Sequence, residues 1–509
     1  MAVLLVDPKP TLASLPDKVP AWSSALAVCI GRLRAFVATY GKAFALDLRS
    51  LALFRIGLAL LLVWDVGVAL TNAADFYSDS GILTREVLRS RLWECGAQWS
   101  IHALSGSASF QVGLLCLQLV AAVGLMIGWR TRWATLLCWL LAASLESRNP
   151  LITNGADSVM RLLLFWSIFL PLGARWSRDA VRTSVARSTS SLWASLPAAC
   201  FILQIAFIYV FAASMKDREV WFTQATALQT ALHLDVFALP LAVWLRDQTE
   251  LCAFLTRGSV WLELLGPLLL LVPWRRSFWR LVACGLFIIF HAGIALCMDI
   301  GLFPWLMIIA WIALLPGSIW PNATEASVQG DLPVPASHGT PWPVRIFCLF
   351  CLGFVFLWNL RGTDFLYWEK WFPRSVNPVG FVLRLDQHWS MFAPFPTRED
   401  GWFVLRAGLS DGTEVDLLRG GQSTDWSKPN CLHSSFKDSR WQKVLMNLWM
   451  QRYQEYRPAF CERVVREWNA RQGGLSQVVA WQFYFLMEPT EVPAAPGRIQ
   501  RHLLAEGGR

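Results

Sequence analysis

Long apolar runs, broken by short clusters of arginine and glycine, dominate the first 360 residues. A membrane-crossing helix needs about 20 mainly apolar residues, because each residue rises about 1.5 Å through a hydrocarbon core of about 30 Å. Residues 51–70, 110–128, 131–144, 158–174, 192–214, 258–273, 279–298, 302–315 and 344–360 meet or approach that pattern, predicting about nine spans. A further apolar stretch, 225–245, is interrupted by His233, Asp235 and Pro240. We expect it to be re-entrant or interfacial, with its backbone covered by other protein. After Leu360 the pattern changes. Residues 402–408 alternate in part, Ser410-Asp411-Gly412 makes a tight turn, and 413–418 closes a β-hairpin. Residues 440–471 keep helical spacing and 478–487 suit a strand.

The expected fold class is an all-α polytopic membrane bundle with a C-terminal extramembrane α+β domain containing a β-hairpin. Residues 1–47 form an amphipathic lead-in, 48–360 the transmembrane domain and 361–509 the outer, β-rich domain. Residues 329–343, rich in Pro, Gly and Ser, link to the last span.

Composition reinforces this picture. Of 509 residues 55% are hydrophobic and 16% charged, against about a quarter charged in soluble domains. That excludes a soluble enzyme, a disordered chain and a fibrous repeat. The net charge of +9 says little about nucleic acid, because membrane proteins place Lys and Arg for topology. Basic clusters stand in the N-terminal segment (Lys9, Lys18, Arg32, Arg34, Lys42, Arg49), at Arg130/Arg132, at Arg175–Arg187 and at Arg275/Arg276/Arg280. With nine spans they share one side, which the positive-inside rule makes the cytoplasm; the C-terminal third is then outside. Residues 25–30 are too short an apolar run for a cleavable signal peptide, and more basic residues follow. The 29 tryptophans suit belts at the membrane interface. Twelve scattered cysteines suit inert buried thiols, and the C-x-x-C at Cys348/Cys351 has no partner pair for a metal. No metal site is expected. Phosphate-cradling glycine loops and metalloprotease motifs are missing, and the G-x-S-x-G match at Gly408–Gly412 falls on the hairpin turn rather than on a strand-to-helix elbow.

Ionisable groups inside spans cost roughly 2.5–3.5 kcal/mol each at mid-helix, so each is a candidate for function. Those in or beside spans are Arg55, Asp65, Glu146, Asp157, Arg161, Lys216, Glu263, His291 and Asp299. Arg55 and Asp65 lie too far apart in one helix to pair locally, so both are expected to bond other helices. Glu263 suits an interhelical hydrogen bond, and Glu146 with Arg148 an end-of-helix pair. Asp157 and Arg161 stand at i, i+4, the spacing of an intrahelical ion pair, behind a helix entry formed by Asn149-Pro150 and Asn154-Gly155. Lys216 follows an apolar run and precedes Trp221. Two readings stand: an ammonium snorkelling to water, or an amine in a dry cavity whose desolvation makes it a usable base. His291 is either a satisfied core histidine or a pocket group, and Asp299-Ile300-Gly301 breaks the apolar stretch after it like a cavity wall.

In order along the chain come Leu53-Phe54-Arg55-Ile56-Gly57 with Trp64-Asp65, Asp75-Phe76-Tyr77-Ser78-Asp79-Ser80-Gly81, and Arg148-Asn149-Pro150 to Asp157. Tyr209 to Lys216 with Trp221, His291 with Gly301-Leu302-Phe303, and Trp389-Ser390-Met391-Phe392 before Asp411-Gly412 follow. This ordered set resembles the membrane domain shared by vitamin K-dependent gamma-glutamyl carboxylase and its bacterial relatives, the horizontally transferred transmembrane (HTTM) domain proteins. The resemblance implies an integral protein of a bacterial inner membrane that uses a reduced quinone (vitamin K hydroquinone or menaquinol) and O2, with CO2 if carboxylation follows. It implies Lys216 as base and His291 lining the same pocket. Asn154, Asp157, Arg161, Trp221 and Asp299 would be cofactor-binding. Implied partners are membrane lipids, the quinol and a protein or peptide glutamate. Departures are clear. The carboxylase histidine at the fourth span is missing from Asn154-Gly155-Ala156-Asp157, Met215 replaces the first of two lysines, and Ile294 and Leu296 replace polar residues. The region after about residue 430 does not match a propeptide-binding portion. These departures favour oxygenation of a quinol over carboxylation of a protein. A non-catalytic lipid- or quinone-binding protein, or a small transporter, is the alternative.

Overall fold

The computed structural model describes residues 42–93, 96–182, 191–321, 340–363, 370–472, 476–490 and 499–508. The lead-in before residue 42 and most of the 329–343 linker lie outside the described residues.

The apolar runs form helices. They are α1 (Leu48–Thr71), α2 (Ala108–Ile127), α3 (Thr131–Arg148), α4 (Gly155–Ser167), α5 (Leu196–Ser214), α6 (Thr249–Leu265), α7 (Arg276–Cys297), α8 (Phe303–Ile312) and α9 (Trp342–Arg361). Among the described residues six are long and apolar enough to cross a membrane: α1, α2, α5, α6 with its 3-10 extension to Leu271, α7 and α9. The other three predicted spans are less regular. Helix α3 carries Arg132, Glu146 and Arg148, while α4 and α8 have 13 and 10 residues, about 20 and 15 Å of rise. Nearly all of α4 is buried among its neighbours, with Trp166 fully enclosed. The 225–245 stretch makes two six-residue helices, Ala227–Leu232 and Pro240–Leu245, each far too short to span. Its bend is pinned by a bridge between Ala238 and Met298, which supplies the protein cover that irregular backbone needs.

Local signals set the helix ends. Asp47, Ser107 and Ser195 cap α1, α2 and α5 with side-chain oxygens that accept backbone N–H bonds. Gly128 ends α2 in the left-handed region (φ 69°), where a side chain is costly. At the end of the bundle holding Gly128, arginines satisfy bare carbonyls. Arg55 donates to Leu172 O (2.9 Å) and Trp176 O (2.5 Å), and Arg280 to Leu314 O and Ala45 O (2.6 Å each). Arg55 thus bonds a loop rather than another helix.

At the opposite end sits the C-terminal domain, an antiparallel five-stranded sheet with helices. Its strands are β1 (Glu399–Leu409), β2 (Glu414–Asp416), β3 (Gln422–Ser423), β4 (Val478–Pro489) and β5 (Gln500–Gly508), in the order β3-β2-β1-β4-β5. The predicted hairpin is β1–β2, with Arg406 opposite Asp416 and Gly408 opposite Glu414. Asp411 closes its turn by accepting from Thr413 N (2.9 Å). The predicted 440–471 helix is two, α10 (Ser439–Trp449) and α11 (Arg457–Arg471), separated by a 3-10 stretch. Helix α10 docks on the bundle: Asn447 Nδ2 donates to Leu151 O (2.8 Å) and Gln442 Nε2 to Val236 O (2.7 Å).

Candidate functional site

Lys216 lies just past the C-terminal end of α5, and its side chain is 3% exposed. It is neither snorkelling nor solitary. Its ammonium pairs with the Glu263 carboxylate on α6 and stands 4.2 Å from the centre of the Trp221 ring. The indole N–H of Trp221 donates to Pro394 O (2.9 Å), fixing the ring from the C-terminal domain side. Glu263 is therefore the interhelical bonder expected of it, and its partner is the lysine.

His291, on α7, is 1% exposed. Trp311 Nε1 donates to the Tyr209 hydroxyl (2.7 Å), and that hydroxyl lies 2.8 Å from His291 Nε2. A hydroxyl has one proton, and the indole nitrogen can only donate. Accepting from Trp311 leaves the hydroxyl both its proton and a second lone pair, so it either donates to His291 Nε2 or accepts from a protonated Nε2. His291 Nδ1 has no partner among the described residues. Phe287, stacked on Trp311 at 4.2 Å, and Phe303, edge-on to the imidazole at 5.8 Å, wall the group in. Tyr209 lies within α5, and Lys216 follows seven positions later, just past the helix end.

The other residues gather elsewhere. Asn154 caps α4 in a capping box: it accepts from Ala156 N (2.8 Å), while Asp157 Oδ2 accepts from Asn154 N (2.7 Å). Those first N–H groups are thus already engaged rather than free. Asp157 and Arg161 do not form the expected i, i+4 pair. Asp157 binds Arg440 of α10 (2.7 Å), and Arg161 binds Glu146 and Asp386 (2.8 Å each). Each finds a better-placed partner across a buried interface. Glu146 likewise leaves Arg148, which reaches Asp79 (3.4 Å) and Leu83 O (3.1 Å) instead. Asp65 joins Asp157 on Arg440 (2.7 Å). A small chamber here is lined by Asp65, Tyr77, Gln118, Glu146, Asn154, Asp157 and Arg440 with apolar walls. Asp299 is not brought to any of these groups. It is exposed, and among the described residues its carboxylate reaches only Gly301 N (3.5 Å).

The predicted residues thus form three places: the Lys216–Glu263–Trp221 cluster, the His291–Tyr209–Trp311 chain and the Asp157–Arg440–Asp65 junction. Sequence reading missed Arg440, Tyr209's hydroxyl role and Asp386. Tyr209 stood within a highlighted segment, but a Tyr one helix from a buried His is visible only once α5, α7 and α8 are packed. Among the described residues no group of His, Cys, Asp and Glu is placed to hold a metal. The ten cysteines described are free thiols, Cys348 and Cys351 both buried among them.

Bundle, broken helices and docked C-terminal domain define a multi-pass membrane protein with paired charges inside it. A family model, the HTTM domain, matches residues 45–318, more than half of the chain, and the protein belongs to that family. Among curated proteins and among solved structures nothing matches.

Proposed function

We propose that this protein acts on a reduced quinone in the membrane, with the Lys216–Glu263 pair as its proton acceptor and His291 as a hydrogen-bond donor. The observation that carries the reading is the buried pair itself, closed on one side by Trp221. In a dry site the proton between an amine and a carboxylate has two resting places of comparable cost. Wherever it rests, the other group can take up one more. The pair is thus a base without requiring a bare amine, and exclusion of water keeps such a base from being quenched. His291 Nδ1, unpartnered, would donate to a quinol oxygen in the tautomer that carries its proton there. Trp221 and Phe303 offer flat faces for a ring. A bound quinol would supply two ionisable hydroxyls and the electrons that O2 consumes. We place the resemblance to the carboxylase at this level, as oxygenation (epoxidation), with nine crossings, the N-terminus cytoplasmic and a bacterial inner membrane as the setting. A glutamate side chain and CO2 enter only if carboxylation follows.

The test is purification in detergent, addition of vitamin K hydroquinone or menaquinol under air, and chromatography for the epoxide. Product is expected from the native chain and at least about 100-fold less from Lys216→Ala or Glu263→Gln, the scale of losing a general base. Epoxide formed at the native rate by Lys216→Ala removes the lysine from the role. One observation favours a second reading, a non-catalytic lipid- or quinone-binding protein or small transporter: the two cavities described are lined by neither Lys216 nor His291. Saturable quinone binding without epoxide would decide for it.

A further inference from the structure

A second, larger cleft of about 540 Å³ opens beside the end of α9. It runs between the entry of α4, the short helix Asn377–Leu383 and the C-terminal domain, and none of the chemistry above uses it. Its charged and polar lining includes Arg361, Arg452, His388, Asn359, Asn377 and Asp386. The acid is already spent, because Asp386 pairs with Arg161 at 2.8 Å. Arg452 is exposed and makes no ion pair among the described residues; its guanidinium rests on the Tyr453 ring 4.6 Å away. Arg452 thus brings an uncompensated positive charge to the cleft, beside Arg361, which lies over the Trp358 ring and donates to Phe372 O and Pro373 O (3.4 Å each).

The inner wall has the opposite need. Asn359 is 2% exposed; its Nδ2 donates to Val355 O (2.8 Å), which fixes the amide and leaves Oδ1 without a partner. Asn377 Oδ1 is unpartnered as well. Buried acceptors of this kind are costly unless a donor reaches them. The cleft therefore combines cations at its mouth with unmet acceptors within. It also sits where a bilayer places phosphates, since α9 is a candidate span and Trp358, Asn359 and Arg361 stand in its last turn. Val379 and Val382, exposed on the adjoining short helix, extend an apolar surface from the cleft.

We infer that this cleft binds a phosphate ester whose head group carries hydrogen-bond donors, the phosphate against Arg452 and Arg361 and the donors toward Asn359 and Asn377. Glycerol hydroxyls and an ethanolamine ammonium meet that description, and a choline head does not. The inference is independent of the quinol reading.

The experiment uses the full chain in nanodiscs containing phosphatidylglycerol, phosphatidylethanolamine and phosphatidylcholine in equal amounts, followed by mild extraction and native mass spectrometry. Retention of one phosphatidylglycerol or phosphatidylethanolamine per chain, in preference to phosphatidylcholine, is expected. Arg452→Gln should lower that retention about tenfold, the size of one charge-assisted contact. Asn377→Leu should erase the preference over phosphatidylcholine while leaving some retention. Glycerophosphoglycerol or inorganic phosphate added in water distinguishes the sources. Displacement of the lipid by either shows that a soluble phosphate suffices, and none shows that the acyl chains are required. Equal retention of phosphatidylcholine, or unchanged retention in a folded, monodisperse Arg452→Gln, overturns the inference.

Discussion

Lys216 and Glu263 were each visible in the sequence as ionisable groups near membrane depth, yet nothing in it joined them across 47 positions. Their pairing makes a sharp thermodynamic statement. Removing one member of a buried pair strands the other charge, typically at about 3–5 kcal/mol, whereas replacing both with apolar residues of similar volume is near neutral. Lys216→Met is therefore expected to lower the apparent melting temperature in detergent well below that of the native chain. The Lys216→Met/Glu263→Leu double variant should recover most of the loss. A double variant no more stable than the single one would mean that the two side chains do not share a dry site. Outside the membrane, Asp400 makes a pH statement. Burial raises its carboxyl to about 6, Asp235 nearby adds repulsion, and Lys428 and two backbone N–H bonds oppose the shift. An acid with a raised folded value favours the fold while protonated. That contribution is complete below about pH 4 and is lost as pH rises through about 6. Near two pK units this is about 3 kcal/mol, and Asp400→Asn should flatten the decline in stability between pH 4 and 7. An unchanged pH profile in the variant would leave the decline to other groups.

Helices are where the sequence was most legible, because hydrophobicity over 20 residues is a strong and local signal. It was least reliable where a segment is buried by protein instead of lipid. Helices α4 and α8 satisfy their surroundings at 13 and 10 residues, lengths that a span count based on hydropathy cannot separate from longer crossings. Helix junctions add a constraint readable only in part. Gly128 was visible as a break before Arg130, but not the crowding around it. A Cβ built there would stand 2.3 Å from Ser177 Cβ and 2.6 Å from Arg55 Nη1, at a left-handed φ of 69°. Gly128→Ala thus combines a conformational cost of roughly 1–2 kcal/mol with displacement of the buried Arg55 from its carbonyls. Gly57→Ala is the contrast, since the nearest atom is the flexible end of Ile309. Thermal unfolding should rank Gly128→Ala clearly below Gly57→Ala, and the reverse order would show that the α2 end tolerates a side chain.

The whole molecule depends on how the C-terminal domain meets the bundle, and here local sequence signals carry almost nothing. Arg440 looked like one more charge on a periodic helix, although its partners lie 375 and 283 positions away. It sits between Asp65 of α1 and Asp157 of α4, also donating to Ile152 O (3.2 Å). Around it Asn72 bonds Asp438, Lys437 and Trp441 at 2.8–3.0 Å, and Arg463 of α11 pairs with Asp75. The capping box of α4 draws on the same Asp157, so the helix entry that bears Asn154 is held from the C-terminal domain. Arg440→Gln leaves two carboxylates close together with no cation between them. The domain should then separate locally, with faster hydrogen exchange in α10 and at the start of α4 while α5 and α7 keep their protection. Adding Asp65→Asn and Asp157→Asn removes the stranded charges and should restore slow exchange, because amides can share the chamber without repulsion. Exchange in Arg440→Gln equal to that of the native chain, or a triple variant as loose as the single one, would show that the surrounding Asn72 and Arg463 contacts hold the domain unaided. The arginine would then be a passenger in the chamber it lines.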